Sequence, residues 1–154
     1  MKDFDIHVKG ATKVTLFGTD NDTICVPSFA KIDTDRSKGD IDINVEGEVC
    51  LGIPSDSEHI ELGVKDAKII LTNLHFENLE IDAKGSVTID ADDISGKLDI
   101  NLADSVADLN LPSDFSFRTK TEGKNNRLNN DRTEDQASAN IIEFNGKNSV
   151  LNIR

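Results

Sequence analysis

The sequence predicts an all-β chain of stacked short strands with little or no helix. Three observations carry that expectation. Apolar and polar residues alternate at period two along most of the chain, and no segment sustains a helical period. A unit Gly-x-φ-x-φ, with φ apolar, recurs as Gly39-Asp-Ile-Asp-Ile, Gly47-Glu-Val-Cys-Leu, Gly85-Ser-Val-Thr-Ile and Gly96-Lys-Leu-Asp-Ile. Strand centres at Leu79, Ile89, Ile100 and Leu111 follow one another every 10 or 11 residues, the even spacing of short strands separated by turns.

Taken in order, Phe4/Ile6/Val8 open the pattern and Val14/Leu16 and Ile24/Val26 continue it. Ile41/Ile43/Val45 and Val49/Leu51 flank Gly47, and Ile60/Leu62/Val64, Ile69/Leu71, Leu74/Phe76 and Leu79/Ile81 follow. Val87/Ile89, Leu98/Ile100/Leu102, Leu109/Leu111 and Phe115/Phe117 form the cleanest stretch, and Ile142/Phe144 and Leu151/Ile153 close the chain. Glycines punctuate these runs because they accept φ > 0 at sharp turns. Pro27, Pro54 and Pro112 each closely follow an apolar run, where a missing N–H does little harm. Residues 119–140 differ. They hold one large aliphatic, Leu128, among Asn, Asp, Glu, Lys and Arg, and they read as a long mobile loop or a frayed hairpin within a single domain, 1–154.

Two architectures fit this pattern. One is a β-solenoid-like stack of the right-handed β-helix type, in which neighbouring copies cover each apolar face. The other is an antiparallel β-sandwich of short hairpins. Asn145-Gly146 is the one Asn-Gly or Asp-Gly hairpin dipeptide, which favours the stack.

Composition bounds the function. The chain has 154 residues, 36% hydrophobic and 30% charged, and a formal net charge of -12. A thin core with a large surface follows, as in a repetitive fold. The acidic balance opposes binding to nucleic-acid phosphates and docking on anionic lipid. No apolar run reaches the ~20 residues of a membrane-spanning helix, and Met1-Lys-Asp-Phe-Asp-Ile enters alternation directly rather than as a signal peptide. The chain reads either as cytoplasmic or as a piece of a longer exported or anchored protein. Cys25 and Cys50 each sit between aliphatics and read as outward-facing free thiols.

Chemistry is sparse. His7 and His75 alternate out of apolar runs, and neither they nor His59 has a Cys or His at zinc-ligand spacing. Acidic pairs recur as Asp20/Asp22, Asp33/Asp35, Asp40/Asp42 and Asp90 with Asp92/Asp93. At i, i+2 in a strand, two carboxylates share a face, the arrangement that acid–base chemistry on glycans or a Ca²⁺ site needs. Asp20-Asn21-Asp22 and Asp90-Ala-Asp92-Asp93 are the calcium candidates, and both lack the EF-hand and glycine-rich nonapeptide patterns. Solvated faces and turns account for these acids equally well. Nucleophile elbows and phosphate loops are missing, and serines such as Ser95 and Ser105 sit at turns. The chain has 7 Phe and neither Trp nor Tyr, which removes the usual stacking platforms for sugars. No catalytic, cofactor-binding or metal residue is assigned.

Ser37-Lys-Gly-Asp-Ile-Asp-Ile and Ile94-Ser-Gly-Lys-Leu-Asp-Ile resemble the repeated Ser-Gly-Asp-Ile-x-Ile units of a bacterial family labelled "putative adhesin". Val106-Ala-Asp-Leu-Asn-Leu-Pro-Ser-Asp-Phe-Ser-Phe resembles its closing strand, and Phe144-Asn-Gly-Lys-Asn-Ser-Val-Leu-Asn-Ile its late strand. The resemblance spans residues 35–154. It implies a repetitive all-β domain without catalytic residues or cofactors, at or near the bacterial envelope. The expected function is a non-enzymatic interaction or scaffold module that meets a protein partner or copies of itself. The alternatives are a polysaccharide-acting β-helix enzyme using paired carboxylates, and a calcium-stabilised surface domain.

Overall fold

The computed structural model describes residues 2–35 and 40–154, so Gly39 of the first repeat and the Ser37-Lys-Gly segment lie outside the described residues. Nine strands follow in order: β1 (Lys2–Thr19), β2 (Lys31–Asp35), β3 (Asp40–Pro54), β4 (Ser57–Lys65), β5 (Lys68–Asn110), β6 (Arg118–Lys124), β7 (Arg127–Asn130), β8 (Ile141–Lys147) and β9 (Val150–Ile153). The chain is all-β, with no helix among the described residues.

The strands form layers that pair side by side, parallel and in register. β1 pairs β3, β4 and β5, and β5 pairs β4, β8 and β9 in this way. β6 and β7 lie on β8 and β9. Among the described residues antiparallel contacts are confined to β2 on β3 and a bridge between Cys25 and Gly52. Parallel pairing of this kind is foreign to a sandwich of hairpins, so the antiparallel alternative gives way. Ile60 lies opposite Leu79 and Glu61 opposite Glu80, so one layer advances 19 residues. Each layer therefore holds two of the ten- or eleven-residue units visible in the sequence.

The layers do not stack in chain order. The sheet runs β2-β3-β1-β4-β5-β8-β6, so β1 lies inside β3, and β8 and β9 lie inside β6 and β7. The alternating aliphatics all turn inward. Ile6, Leu16, Leu62, Leu71, Ile81, Ile89, Ile100, Leu109 and Ile153 are fully buried in one continuous core. Each such side chain contributes about 1.5–3 kcal/mol relative to exposure.

Corners hold the layers in step. Residues in the left-handed region end the first segment of successive layers: Gly10 and Gly47 near one end, then Asp66, Gly85, Asp104, Asn148 and Asn125. Asp and Asn tolerate this conformation better than other residues bearing a Cβ. Their side chains also link adjacent corners. Asn148 Nδ2 donates to Asp104 Oδ1 at 3.1 Å, Asn125 Nδ2 to Asn148 Oδ1 at 3.0 Å, and the Ser86 N–H to Asp66 Oδ1 at 2.9 Å. Inside the bend, buried Ser105 and Ser149 satisfy the backbone. The Gly85 N–H donates to Ser105 Oγ at 2.9 Å and the Ser105 N–H to Ser149 Oγ at 3.1 Å.

The stretch 119–140 corrects the reading of a long loop. It contains most of β6 and all of β7, which form the outermost layer. Their positions over the core are largely polar because no further strand stacks beyond them among the described residues: Thr119 covers Ile142, Thr121 covers Phe144 and Asn130 covers Ile153. End layers of repeat folds need such polar faces, and a polar inward face hides a strand from a search for apolar alternation. Residues 131–140 then fasten this end. The Arg132 guanidinium donates to the carbonyls of Leu111 at 3.2 Å and Pro112 at 2.8 Å, and it lies 5.9 Å from the Phe117 ring centroid.

Two stability outcomes follow. Gly47 and Gly85 share φ near +83°, but a Cβ at Gly47 meets nothing within 4 Å whereas one at Gly85 collides with the Asp66 carboxylate. Both Gly47→Ala and Gly85→Ala cost the left-handed penalty of about 1–2 kcal/mol, and thermal unfolding should show the larger loss in Gly85→Ala. Arg132→Ala strips the donors from those carbonyls and lowers stability by about 1–3 kcal/mol. Arg132→Lys recovers only part of this loss, because an ammonium cannot reproduce the planar fork.

Candidate functional site

In-register stacking lines up side chains of like chemistry on the outer surface. On the first segments Asp40 lies beside Asp5, Asp5 beside Glu61 and Glu61 beside Glu80. Further along, Asp99 lies beside Glu143, which meets Lys120 on the last layer. Four residues on, Lys65 lies beside Lys84, and Lys147 beside Lys124. This face therefore carries an acidic stripe and a lysine-rich stripe, both running along the stack. Neighbouring strands are about 4.8 Å apart, so the acids of one stripe repel one another at close range.

The crowding is greatest where Glu61, Glu80 and Asp82 place carboxylate oxygens within 4.8 Å of one another. A hydrogen bond to Asp82 is the main cause that pushes the Glu61 carboxyl up to about 7, helped by burial and by the charges of Asp5, Glu80 and Asp82. Burial raises Glu80 and Asp99 as well. The stripe is relieved by interleaved donors. Asn101 Nδ2 donates to Glu80 and to Asp82 at 2.8 Å for the latter, Asn145 Nδ2 donates to Asp99 at 2.9 Å, and Lys97 Nζ reaches buried Glu143 at 2.6 Å. Beside the stripe the His7 ring packs over Gly63, where a Cβ would stand 2.8 Å from its Nδ1. An open groove of about 700 Å³ lies there, bordered by Lys9, Lys65, Lys84 and Asn101. At neutral pH the trio can hold a proton that isolated carboxylates would release.

The residues singled out in the sequence are dispersed. His7 is exposed and lies 3.0 Å from the Asp5 carboxylate. His59 meets Asn78 at 3.0 Å. His75 Nδ1 lies 2.6 Å from Ser95 Oγ, and its Nε2 lies 3.5 Å from Asp93, all three on an open surface at a second corner. Asp90 is engaged by Asn110 at 2.7 Å and Lys68 at 3.2 Å, and the Asn110 bond is the chief cause that lowers its pKa. Asp92 and Asp93 are exposed, as are Asp20, Asn21 and Asp22 in the segment after β1. Asp33 and Asp35 lie on β2 opposite Asp42 and Asp40. Cys25 and Cys50 are free thiols. The trio Glu61/Glu80/Asp82 escaped sequence reading because Glu61 lies 19 residues before Glu80 and 21 before Asp82, although Glu80 and Asp82 are themselves an i, i+2 pair on β5. A superposition of the chain on itself at the 19-residue offset would have aligned Glu61 with Glu80 and Lys65 with Lys84.

The trio sets a pH dependence. A carboxyl raised in the folded state binds more protons there than in the unfolded chain between the ordinary Glu value of 4.5 and about 7. Its contribution to stability is therefore present at low pH and is lost as pH rises through that window. The melting temperature should fall between pH 5.5 and 8. Glu61→Gln should flatten that slope and melt about 2–4 °C above the parent at pH 8, the shift that about 1 kcal/mol gives a chain of this size. Equal slopes in the two proteins would remove Glu61 as the source.

The chain matches no family model and no curated protein sequence. A solved structure shares its architecture: a Clostridium sporogenes protein described as a "putative cell adhesion protein" aligns with a TM-score of 0.61 over 98% of this chain and 92% of that one, at 15% identity. At that identity the likeness concerns the all-β fold rather than any particular surface.

Proposed function

We propose that the chain is a non-enzymatic interaction or scaffold module of a bacterial cell envelope, adhesin-like in role. The full-length likeness to a protein described as a cell adhesion protein carries the reading. The ordered repeats in the sequence, from Gly47 to Leu111-Pro112, resemble those of adhesin-labelled domains and support it. The surface supports it physically: a stack held in register presents fixed rows of charge, suited to meeting another ordered surface. Among its described residues the chain has no helix long and apolar enough to cross a membrane. The polysaccharide-enzyme reading has less support, because Asp90 is already held by Asn110 and Lys68.

The reading is tested on whole cells of the source bacterium. The chain should be digested by protease added to intact cells, and beads coated with it should be retained on those cells above beads coated with albumin. High salt should release them, since the contacts are charged. Retention no better than albumin, or complete protection from protease, would overturn the role. A panel of neutral and acidic glycans should pass unchanged; hydrolysis that disappears in Asp90→Asn would replace the module with an enzyme.

A further inference from the structure

The two ends of the stack are finished differently. The last layer turns polar residues over the core, as Thr119, Thr121 and Asn130 show. The other end is finished by β2, the terminal strand of the sheet order, which among the described residues pairs with β3 alone. Ile32 on β2 lies directly opposite Ile43, a core residue, and so points along the same face. Yet Ile32 is 42% exposed, and among the described residues no further strand covers it. Phe29, three residues earlier, is 68% exposed. Two of the three large exposed hydrophobics among the described residues, the other being Val106, thus fall on four consecutive positions at one unfinished edge. An exposed apolar edge strand of this kind is a template for pairing with another strand.

The sequence of the edge selects the partner. Lys31 and Asp33 flank Ile32 and are both exposed. Asp33 lies opposite Asp42 of β3, a like-charge pair that a nearby cation would relieve. In an antiparallel register centred on Ile32, a second β2 sets Ile32 against Ile32 and Lys31 against Asp33 on both sides. The same strand thus supplies the apolar centre and both charge pairs, as a two-fold contact requires. A parallel arrangement in register would set Lys31 against Lys31 and Asp33 against Asp33.

We infer that β2 is a homophilic docking edge through which two copies of this chain pair antiparallel, extending the sheet and covering the open end of the core. A five-residue strand makes a small interface, so the dimer is weak, with a Kd on the order of 0.1 mM. It does not depend on the adhesion reading, since pairing in solution requires no cell or third molecule.

Sedimentation velocity from micromolar to millimolar chain, at 0.15 M NaCl to screen the net charge of -12, decides the matter. The parent should move toward dimer with concentration, and Ile32→Lys should weaken pairing at least about tenfold while keeping the parent's melting temperature, since Ile32 is partly exposed. The register has its own test. Lys31→Asp alone and Asp33→Lys alone each set like charges against each other and should remain monomeric, whereas an equimolar mixture of the two should form a heterodimer. A parent that stays monomeric throughout overturns the proposal, as does a dimer unaffected by Ile32→Lys. Failure of the mixture to pair overturns the antiparallel register centred on Ile32.

Discussion

Everything in this fold depends on the corner that closes the first segment of each layer. A backbone in the left-handed region bends the chain sharply within one residue, and Gly, Asn and Asp enter it at the lowest cost. Gly10, Gly47, Asp66, Gly85, Asp104, Asn125 and Asn148 all do so. With the bends stacked, each strand must start level with its neighbour, and a slip of one residue would turn every Ile and Leu of that layer outward. The corner thus converts a weak alternating pattern into a single register. The buried hydroxyls of Ser105 and Ser149 complete it by meeting N–H groups that the bend would otherwise leave unpaired.

Register has an electrostatic consequence. When each layer repeats its predecessor, like residues stack on like, and an outward carboxylate faces another one layer away. Two remedies recur here. One is an amide one layer above an acid, as Asn101 sits over Glu80 and Asp82, Asn110 over Asp90, and Asn152 Nδ2 over Asp108 at 2.9 Å. An amide donates to the carboxylate without adding charge and tolerates the next acid in line. The other is a retained proton, and Glu61 follows that course because Asp5, Glu80 and Asp82 press on it from neighbouring positions while the donors reach Glu80 and Asp82. The abundance of Asn late in the chain is therefore part of how the stack bears its acids.

The fold was largely legible from residue types alone. Period-two alternation named the inward residues from Ile6 to Ile153, and the spacing of Leu79, Ile89, Ile100 and Leu111 announced repeated short segments. Three things were not legible. Layer order escaped because pairing of β1 with β3 and β4 is set by which faces remain open, and no local pattern records that. Strands β6 and β7 escaped because a capping layer carries Thr and Asn where inner layers carry Ile and Leu. The Glu61/Glu80/Asp82 cluster escaped because Glu61 joins the Glu80/Asp82 pair from the neighbouring layer, while the acidic pairs singled out in the sequence, such as Asp20/Asp22, lie apart from it. The lesson is specific to parallel stacks: proximity follows the layer offset rather than spacing along the strand.

The sheet order places β1 and β9 one layer in from its two unequal ends. A strand at the very edge leaves its own N–H and C=O groups open to foreign strands. Placing β1 inside β3, and β8 and β9 inside β6 and β7, gives the first and last strands partners on both sides. The outermost layers are then formed by internal segments, anchored at both of their own ends. The two such layers are protected by different means. Beyond β6 and β7, polar inward residues, Arg132 and the Glu134 carboxylate on the Thr119 N–H leave little for another strand to grip. Beyond β3, protection rests on the short strand β2 and the bridge at Cys25, and the apolar character of the core continues through Ile32 to the surface. A stack whose polar cap resists extension and whose apolar end does not would join in pairs through that end, rather than grow without limit by adding head to tail.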